Sequence, residues 1–486
     1  MLLSQLLKKV KVLSSNLPAE IYRKREILNI CTSLPEIKDG SLFIAIKGIN
    51  FDGHTLCERA EVLGASVIIS QKKLEDIHIC NIVVSDTREA LALIAANYYE
   101  NPADDLILAG ITGTNGKTTT SYMLHHILTR AGYGTGIIGT VGNRIGNENI
   151  SGGYTTPEPM QLHSLFQRMR QCGIGHGVME VSSHALDQKR VAGLNFEVGI
   201  FTNLTLDHLD YHKTFENYRD AKLQLFKNSK HCLANADSLC SEDFLKVDGA
   251  KSFSLRDENA DYYALNIQGM DGSDDGFDIK YDVKCKDGTY PVKINMPGLF
   301  NVYNSLAAFG GALLMGINPQ VVIEALATFE GVKGRMEYIK TDKPFNIIID
   351  FAHTPDGLLN LLVSSRPFTK NRIIVVFGCG GDRDKAKRPM MGQLADLHSD
   401  VAIVTSDNPR SESPERIVFD IMEGTSRRDG IIPIVDRREA IAYALSVAKA
   451  GDTVLIAGKG HETYQIIGDK KIDFDEREII FDILGK

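Results

Sequence analysis

Residues 113–119 read Gly-Thr-Asn-Gly-Lys-Thr-Thr, between an apolar run at 106–111 and an amphipathic run at 121–130. No other feature constrains the fold as tightly. The first run is short and wholly apolar, which predicts a buried strand. The second carries Met123, Leu124, Ile127 and Leu128 at helical spacing, with Gly132 past its end, which predicts a helix. A glycine-rich turn between the two lets backbone N–H groups crowd around phosphate oxygens, and the helix N-terminus adds positive potential. Lys117 would then hold the β- and γ-phosphates of a nucleotide, and the Thr118 hydroxyl would ligate Mg2+. The spacing departs from the common G-x-x-x-x-G-K-[ST] pattern. Ile111 stands where the first glycine belongs, and the glycines are Gly110 and Gly113.

The same strand–helix rhythm extends in both directions, in three regions. In the first, to about residue 100, strands are expected at 42–46 and 65–69. A helix at 56–63 ends at Gly64, and another at 87–99 ends before Asn101-Pro102. In the second, strands at 106–111, 136–141, 177–181 and 198–203 alternate with helical segments, the pattern of a mostly parallel sheet covered on both faces. Phe277, Ile279, Tyr281 and Val283 alternate with polar residues and precede Lys286-Asp287-Gly288, which predicts a hairpin added antiparallel to that sheet. The third region, from about residue 334, has strands expected at 346–349, 372–377, 401–405, 431–435 and 453–457. With 486 residues, two to four domains are expected.

Charge and cysteine usage exclude several functions. The chain has 54 basic and 62 acidic residues, a net charge of −8, so it lacks the basic footprint of a general nucleic-acid binder. Anionic ligands must be met by local Lys, Arg and backbone N–H groups. No apolar run reaches the roughly 18 residues of a membrane span. Lys8, Lys9 and Lys11 interrupt the apolar N-terminus, so a secretory signal is not expected. The eight cysteines are scattered without a CxxC pair, which argues against structural zinc and fits reduced thiols in the cytoplasm.

Almost every expected strand is followed at once by a polar or glycine-rich cluster. Ligands of open α/β sheets bind beyond the carboxyl ends of the strands. The clusters are Gly113 to Thr119, Ser182-Ser183-His184, Asp207-His208, Asp350 to Asp356, Gly378 to Asp384, Asp407-Asn408-Pro409-Arg410 and Gly458-Lys459-Gly460-His461-Glu462. In this order, with Thr155-Thr156-Pro157, Glu180 to His184, Thr202-Asn203, Asp207 to His212, Gly298 to Asn304 and Gly334-Arg335-Met336-Glu337, they resemble the Mur ligase family from about residue 40 to the end. The departure in the phosphate loop is one the family shares.

The resemblance implies three α/β domains: a small UDP-substrate domain at 1–100, a central P-loop ATPase domain with a mostly parallel sheet at 101–332, and a Rossmann-like, amino-acid-binding domain at 333–486. It implies a cytoplasmic monomer that spends ATP, with Mg2+, to join an amino acid to a UDP-muramoyl peptide through an acyl phosphate. That is a step of peptidoglycan precursor synthesis, and so of cell shape, division and the cell cycle. Gly113, Thr114, Asn115, Gly116, Lys117, Thr118 and Thr119, with Asn304, Arg335 and Asp350, match ATP-binding positions. Thr155, Thr156, Ser183, Gln188 and Arg190 match positions that hold UDP-N-acetylmuramoyl-L-alanyl-D-glutamate. The N-terminal match is weaker. The usual Asp-Ser-Arg near the uridine is replaced here by Thr32-Ser33-Leu34-Pro35, and uridine contacts fall to Ser33 and Asn50.

For the chemistry, Lys117, Glu180, His208 and Lys222 are the candidate catalytic residues, and Thr118, Glu180, His208 and Lys222 the candidate metal ligands. Lys222 also has a reading from spacing. Phe215, Tyr218, Leu225 and Phe226 lie at −7, −4, +3 and +4 from it, one face of a helix. Partial desolvation there favours the neutral amine, which can take up CO2. The family carries a carbamylated lysine (N6-carboxylysine) at the matching position. The incoming amino acid is implied to be meso-2,6-diaminopimelate, held by Arg383, Asp407, Asn408, Pro409, Arg410, Gly458 and Glu462. Arg410 can form a bidentate pair with its distal carboxylate, which lysine lacks. Lysine addition, or folylpolyglutamate synthesis on the same fold, is the alternative, and a nucleotide-binding switch without ligase activity is a third reading.

Overall fold

The computed structural model describes residues 1–48, 51–150, 152–269, 278–426 and 430–485. The chain forms two compact units, one of Met1–Gly110, Tyr133–Gly199 and Ala221–Lys230, the other of Ile111–Gly132, Ile200–Asp220 and His231–Lys486. Among the described residues, no helix is long and apolar enough to cross a membrane.

The first unit opens with a five-stranded sheet in the order Val12–Ser15, Cys80–Val84, Ala65–Ser70, Ser41–Ile44, Asn29–Cys31. All neighbours are parallel except the first pair. Leu42, Ile44, Val67 and Ile69 pack with Leu3, Leu6, Leu91 and Ile94, while Phe43, Ala45 and Ile68 pack with Cys57 and Ala60. Both faces are covered, so each strand is a continuous apolar run rather than an alternating one. The helix Thr87–Tyr98 is capped by Asp86, which accepts from Arg88 N and Glu89 N. The helix expected at 56–63 is a 3-10 turn, Gly53–Leu56, followed by Cys57–Val62. It stops at Gly64, whose φ is +103° and where a Cβ would meet Asp39 Oδ1 at 2.3 Å. Further along, Thr135–Gly139 pairs in parallel with His176–Glu180 and antiparallel with Gly142–Ile145. The helix Pro159–Gln171 covers them through Leu162, Phe166 and Met169.

In the second unit the strand ending at Asn235 pairs in parallel with Lys251–Ser254, and that one with Tyr262–Gln268. Ile279–Cys285 and Gly288–Ile294 follow antiparallel, as the alternation predicts; Phe277 lies outside the described residues. The helix Lys117–Arg130 packs on Leu299–Leu314. A six-stranded sheet follows in the order Glu337–Tyr338, Asn346–Asp350, Thr453–Ala457, Ile373–Phe377, Val401–Val404, Ile431–Pro433. All but the first strand run parallel. Their carboxyl ends share one edge, the direct consequence of parallel pairing.

Among the other boundaries that differ from expectation, two have a direct physical reason. The helix after the phosphate loop begins at Lys117, not 121, because Gly116 at φ +84° turns the chain and Thr118, Thr119 and Thr120 are already helical and buried. The apolar stripe marks only the rest of that helix. The strand expected from 372 starts at Ile373, because Arg372 bonds Asp452 at its head.

Candidate active site

The phosphate loop is held by the end of the strand Phe196–Phe201 and the residues after it. Thr114 N donates to Asn203 O at 2.8 Å, Asn115 N to Asn203 Oδ1 at 2.9 Å and Thr202 Oγ1 to Asn115 O at 2.6 Å. Thr114 Oγ1 lies 3.0 Å from Tyr218 OH and accepts from Thr205 N. Two glycines are required by contact. A Cβ at Gly113 would meet Thr202 Oγ1 at 1.9 Å, and one at Gly116 would meet Asn304 Oδ1 at 2.3 Å. Lys117 Nζ folds back onto Gly113 O and Thr114 O, both at 2.9 Å, so the ammonium stays inside the loop.

A cavity of about 620 Å³ adjoins the loop, lined by Asn115, Gly116, Thr119, Asn304, Arg335 and Asp350 among others. That size suits a nucleotide-sized ligand. Arg335 Nη2 donates to Thr118 Oγ1 at 3.2 Å, and its guanidinium lies over the Phe351 ring at 4.6 Å. Asp350 accepts from Met336 N and Ala352 N, and desolvation raises its carboxyl above the usual range. The sequence pattern gave no role to Asp356. It accepts from Asn115 Nδ2 at 2.5 Å and from Thr205 Oγ1 at 3.2 Å. Asp237, which accepts from Tyr303 OH and Leu255 N, also lines the cavity and had no signal in the sequence.

In the first unit a polar cluster forms around Glu180. Its carboxylate is fully buried, accepting from Thr140 N at 2.8 Å and Thr140 Oγ1 at 3.0 Å. Thr140 Oγ1 is 3.0 Å from Thr155 Oγ1, and Thr156 Oγ1 donates to Glu180 O at 2.9 Å. Arg190, only 8% exposed, donates to Thr156 O and Gln188 Oε1 and pairs with Glu158 at 2.9 Å. Ser183 is buried at the start of Ser183–Asp187. Thr155, Thr156, Gln188 and Arg190 are therefore neighbours of one another and of Glu180. Ser33 is half-buried before the turn Leu34–Glu36, and its carbonyl accepts from Glu36 N. Asn50 lies outside the described residues.

Lys222, on the helix Phe215–Lys227, is 1% exposed. Tyr218, Leu225 and Phe226 on its face are buried too, while Phe215 is only half-buried. Burial pushes the Tyr218 hydroxyl well above the ordinary tyrosine range. His208 adopts φ +55° in the loop before Leu209–His212, its ring exposed, 3.5 Å from Asp207 and edge-on to Tyr218.

The third group sits at the carboxyl edge of the six-stranded sheet. Asn408, 3% exposed, donates to Glu462 Oε2 at 2.9 Å and accepts from Lys459 Nζ at 3.1 Å. Lys459 is fully buried and pairs with Glu462 at 3.2 Å. Burial alone would raise the Asp407 carboxyl, but the charges of Lys459 and Arg437 outweigh it and hold it below the usual range. Asp407 Oδ2 is buried without a hydrogen-bond partner among the described residues, and a Cβ at Gly458 would meet it at 2.7 Å. Pro409 is buried. Arg410, at φ +52°, donates from Nη1 to Gly381 O at 2.8 Å. Arg383 donates to Asp382 O, and desolvation together with the charge of Arg410 lowers its pKa from the usual arginine value. Two guanidiniums in electrostatic reach of each other, with a carboxylate near one of them, fit a ligand carrying both signs of charge.

Fold and site define the class: the chain belongs to the Mur ligase family. Three family models match it, the Mur ligase family catalytic domain at 33–99, the Mur ligase middle domain at 111–312 and the Mur ligase glutamate ligase domain at 334–460. Among curated relatives it is similar to the UDP-N-acetylmuramoyl-L-alanyl-D-glutamate–2,6-diaminopimelate ligases of Clostridium botulinum, 45% identical over 95% of this chain and 96% of the relative, and Listeria monocytogenes, 42% identical over 94% of each. A solved structure of an enzyme of that name superposes with TM-score 0.70 at 30% identity, covering 100% of this chain and 99% of the other.

Proposed function

We propose that this chain is an ATP-dependent ligase that joins meso-2,6-diaminopimelate to UDP-N-acetylmuramoyl-L-alanyl-D-glutamate, releasing ADP and phosphate. The observation that carries the choice of amine donor is the grouping of Arg383, Arg410, Asn408 and Glu462 at one sheet edge. Diaminopimelate has one more carboxylate than lysine, and a second guanidinium is what such a ligand needs.

Amide formation from a carboxylate and an amine is uphill in water. The D-glutamyl carboxylate attacks the γ-phosphorus of ATP, ADP leaves, and an acyl phosphate forms. The neutral amine of diaminopimelate then attacks the acyl carbon, the tetrahedral intermediate collapses, phosphate departs, and the amine's proton is lost. The first step brings two anions together, so fixed positive charge is the main requirement. Lys117 supplies it by exchanging its bonds to Gly113 O and Thr114 O for phosphate oxygens. Asn304, Arg335 and Asp350 hold the nucleotide in the cavity they line. Arg190, with Thr155, Thr156, Ser183 and Gln188, holds the muramoyl peptide, while Ser33 and Asn50 contact the uridine. Arg383 and Arg410 hold the distal carboxylate of diaminopimelate, Glu462 accepts from its ammonium, and Asp407, Asn408, Pro409 and Gly458 complete the pocket.

A hard divalent cation is the metal that the family resemblance assigns to this reaction. Following the family resemblance, Thr118 and Glu180 would be ligands of one Mg2+ and His208 of a second metal, and a carbamylated Lys222 would offer a further oxygen ligand of the kind Mg2+ prefers. When bound, Mg2+ neutralises charge on the phosphates and the attacking carboxylate. The remaining domain, location and assembly assignments follow the family: domains at 1–100, 101–332 and 333–486, in a cytoplasmic monomer. Phosphate release by the purified chain tests the reaction. It should require both the UDP-muramoyl dipeptide and the amino acid, and release that ignores the peptide would contradict the proposal.

A further inference from the structure

The loops carrying Arg383 and Arg410 leave adjacent parallel strands, Ile373–Phe377 and Val401–Val404. They are stitched together beyond the strand ends. Gly381 N donates to Asn408 O at 2.9 Å and Arg410 Nη1 to Gly381 O at 2.8 Å. Ser411 donates to the Asp382 carboxylate from Oγ at 2.6 Å and from N at 3.2 Å. Gly381 permits this approach, since a Cβ there would meet Pro409 O at 1.9 Å. Asp382 itself sits at φ +54°, a conformation that side-chain-bearing residues hold only when the surroundings fix it.

The fixing group is Glu412. Its Oε1 accepts from Asp382 N at 2.7 Å. Its carboxylate is gripped at both oxygens by Arg388, at 2.9 and 3.0 Å, and Lys385 adds a contact at 3.1 Å. Arg388 is fully buried at the start of the helix Lys387–His398 and also bonds Asp420 at 2.8 Å. A bidentate arginine–carboxylate pair fixes direction as well as distance. Arg388 orients Glu412, Glu412 holds the Asp382 backbone, and the next residue is Arg383. Two guanidiniums that share one anion repel each other before it arrives, so their loops must be restrained from outside the pair.

We propose that Glu412, clamped by Arg388, is a positioning residue for amino-acid selection: it sets the separation of Arg383 and Arg410 and so the preference for a donor with a distal carboxylate. This rests on the reading of those two arginines under Proposed function. Glu412 touches no substrate in this scheme and acts through the Asp382 N–H.

The test is steady-state kinetics of the full chain with meso-diaminopimelate and with L-lysine, for wild type, Glu412→Ala, Glu412→Gln and Ser411→Ala, with a thermal unfolding midpoint for each. Wild-type use of diaminopimelate over lysine first checks the underlying reading, and its failure would be seen there alone. Given that preference, Glu412→Ala should raise the KM for diaminopimelate about tenfold or more and narrow the preference over lysine, leaving the KM for ATP within about twofold. Glu412→Gln, which still accepts from Asp382 N, should lie between. If Glu412→Ala does not fold, Glu412→Gln and Ser411→Ala carry the test. Unchanged diaminopimelate KM and preference in both, or equal losses toward ATP and diaminopimelate, would overturn the proposal.

Discussion

Asn115 in the phosphate loop donates to Asp356 at the start of the helix Pro355–Ser365, at 2.5 Å and across 241 residues of sequence. Thr205 donates to the same carboxylate oxygen at 3.2 Å. Burial raises the Asp356 carboxyl above the usual range, so the group is costly and is retained by its three side-chain donors, the third being Asn360. The loop's geometry thus depends on a residue in the last third of the chain.

Asp356→Ala should therefore weaken ATP use without touching the choice of amino acid. Losing a charge-assisted bond costs roughly 1.5–3 kcal/mol, about a ten- to hundredfold rise in the KM for ATP. Nucleotide titration of the variant checks this; an unchanged affinity would detach Asp356 from the loop.

Lys222→Ala should abolish ligase activity, and millimolar bicarbonate should not restore it, because no amine remains to carbamylate. The 1% exposure of Lys222 makes a solvent-facing role untenable. Full activity in the variant would exclude the carbamate.

Arg410→Ala should raise the KM for diaminopimelate by about ten- to a hundredfold, the range for a lost bond to a charged group. The KM for ATP should stay within about twofold. Equal increases in both would point to collapse of the loop instead.

Acid should destabilise the fold in two stages. His163 and His461 are both lowered to about 4, chiefly by burial. The unfolded chain binds their protons near pH 6.5, so stability is full above that value and falls as the pH drops toward 4, by up to ~3 kcal/mol per group. Glu412 is lowered to about 2, first by its bond to Arg388. Its contribution is present above the ordinary glutamate range and is lost as the pH falls from about 4.5 toward 2. Urea unfolding of wild type and His163→Leu between pH 7 and 4 checks the first stage: the variant's curve should be flatter. Parallel curves would remove His163 from it.

Much of this was legible in the chain itself. Strand runs such as 453–457 and the loop 113–119 announce themselves because burial on both sheet faces leaves an unbroken apolar run and because only glycine survives beside Thr202 and Asn304. The edge strands Val12–Ser15 and Lys470–Asp473 did not, since one is partly and the other wholly solvent-facing, without an apolar pattern. Asp356 closes the polar cluster that follows the strand Asn346–Asp350, yet its partner is 241 residues away, and no local pattern encodes such a pairing. Arg388 and Glu412 were silent for the same reason: a fully buried arginine looks in sequence like any surface one.

The most direct measurement is ATP turnover by the purified chain with UDP-N-acetylmuramoyl-L-alanyl-D-glutamate, offering meso-diaminopimelate against L-lysine at equal concentration. Guanidinium selection by Arg383 and Arg410 predicts ADP formation with diaminopimelate and little with lysine. Equal turnover with the two, or faster turnover with lysine, would contradict it.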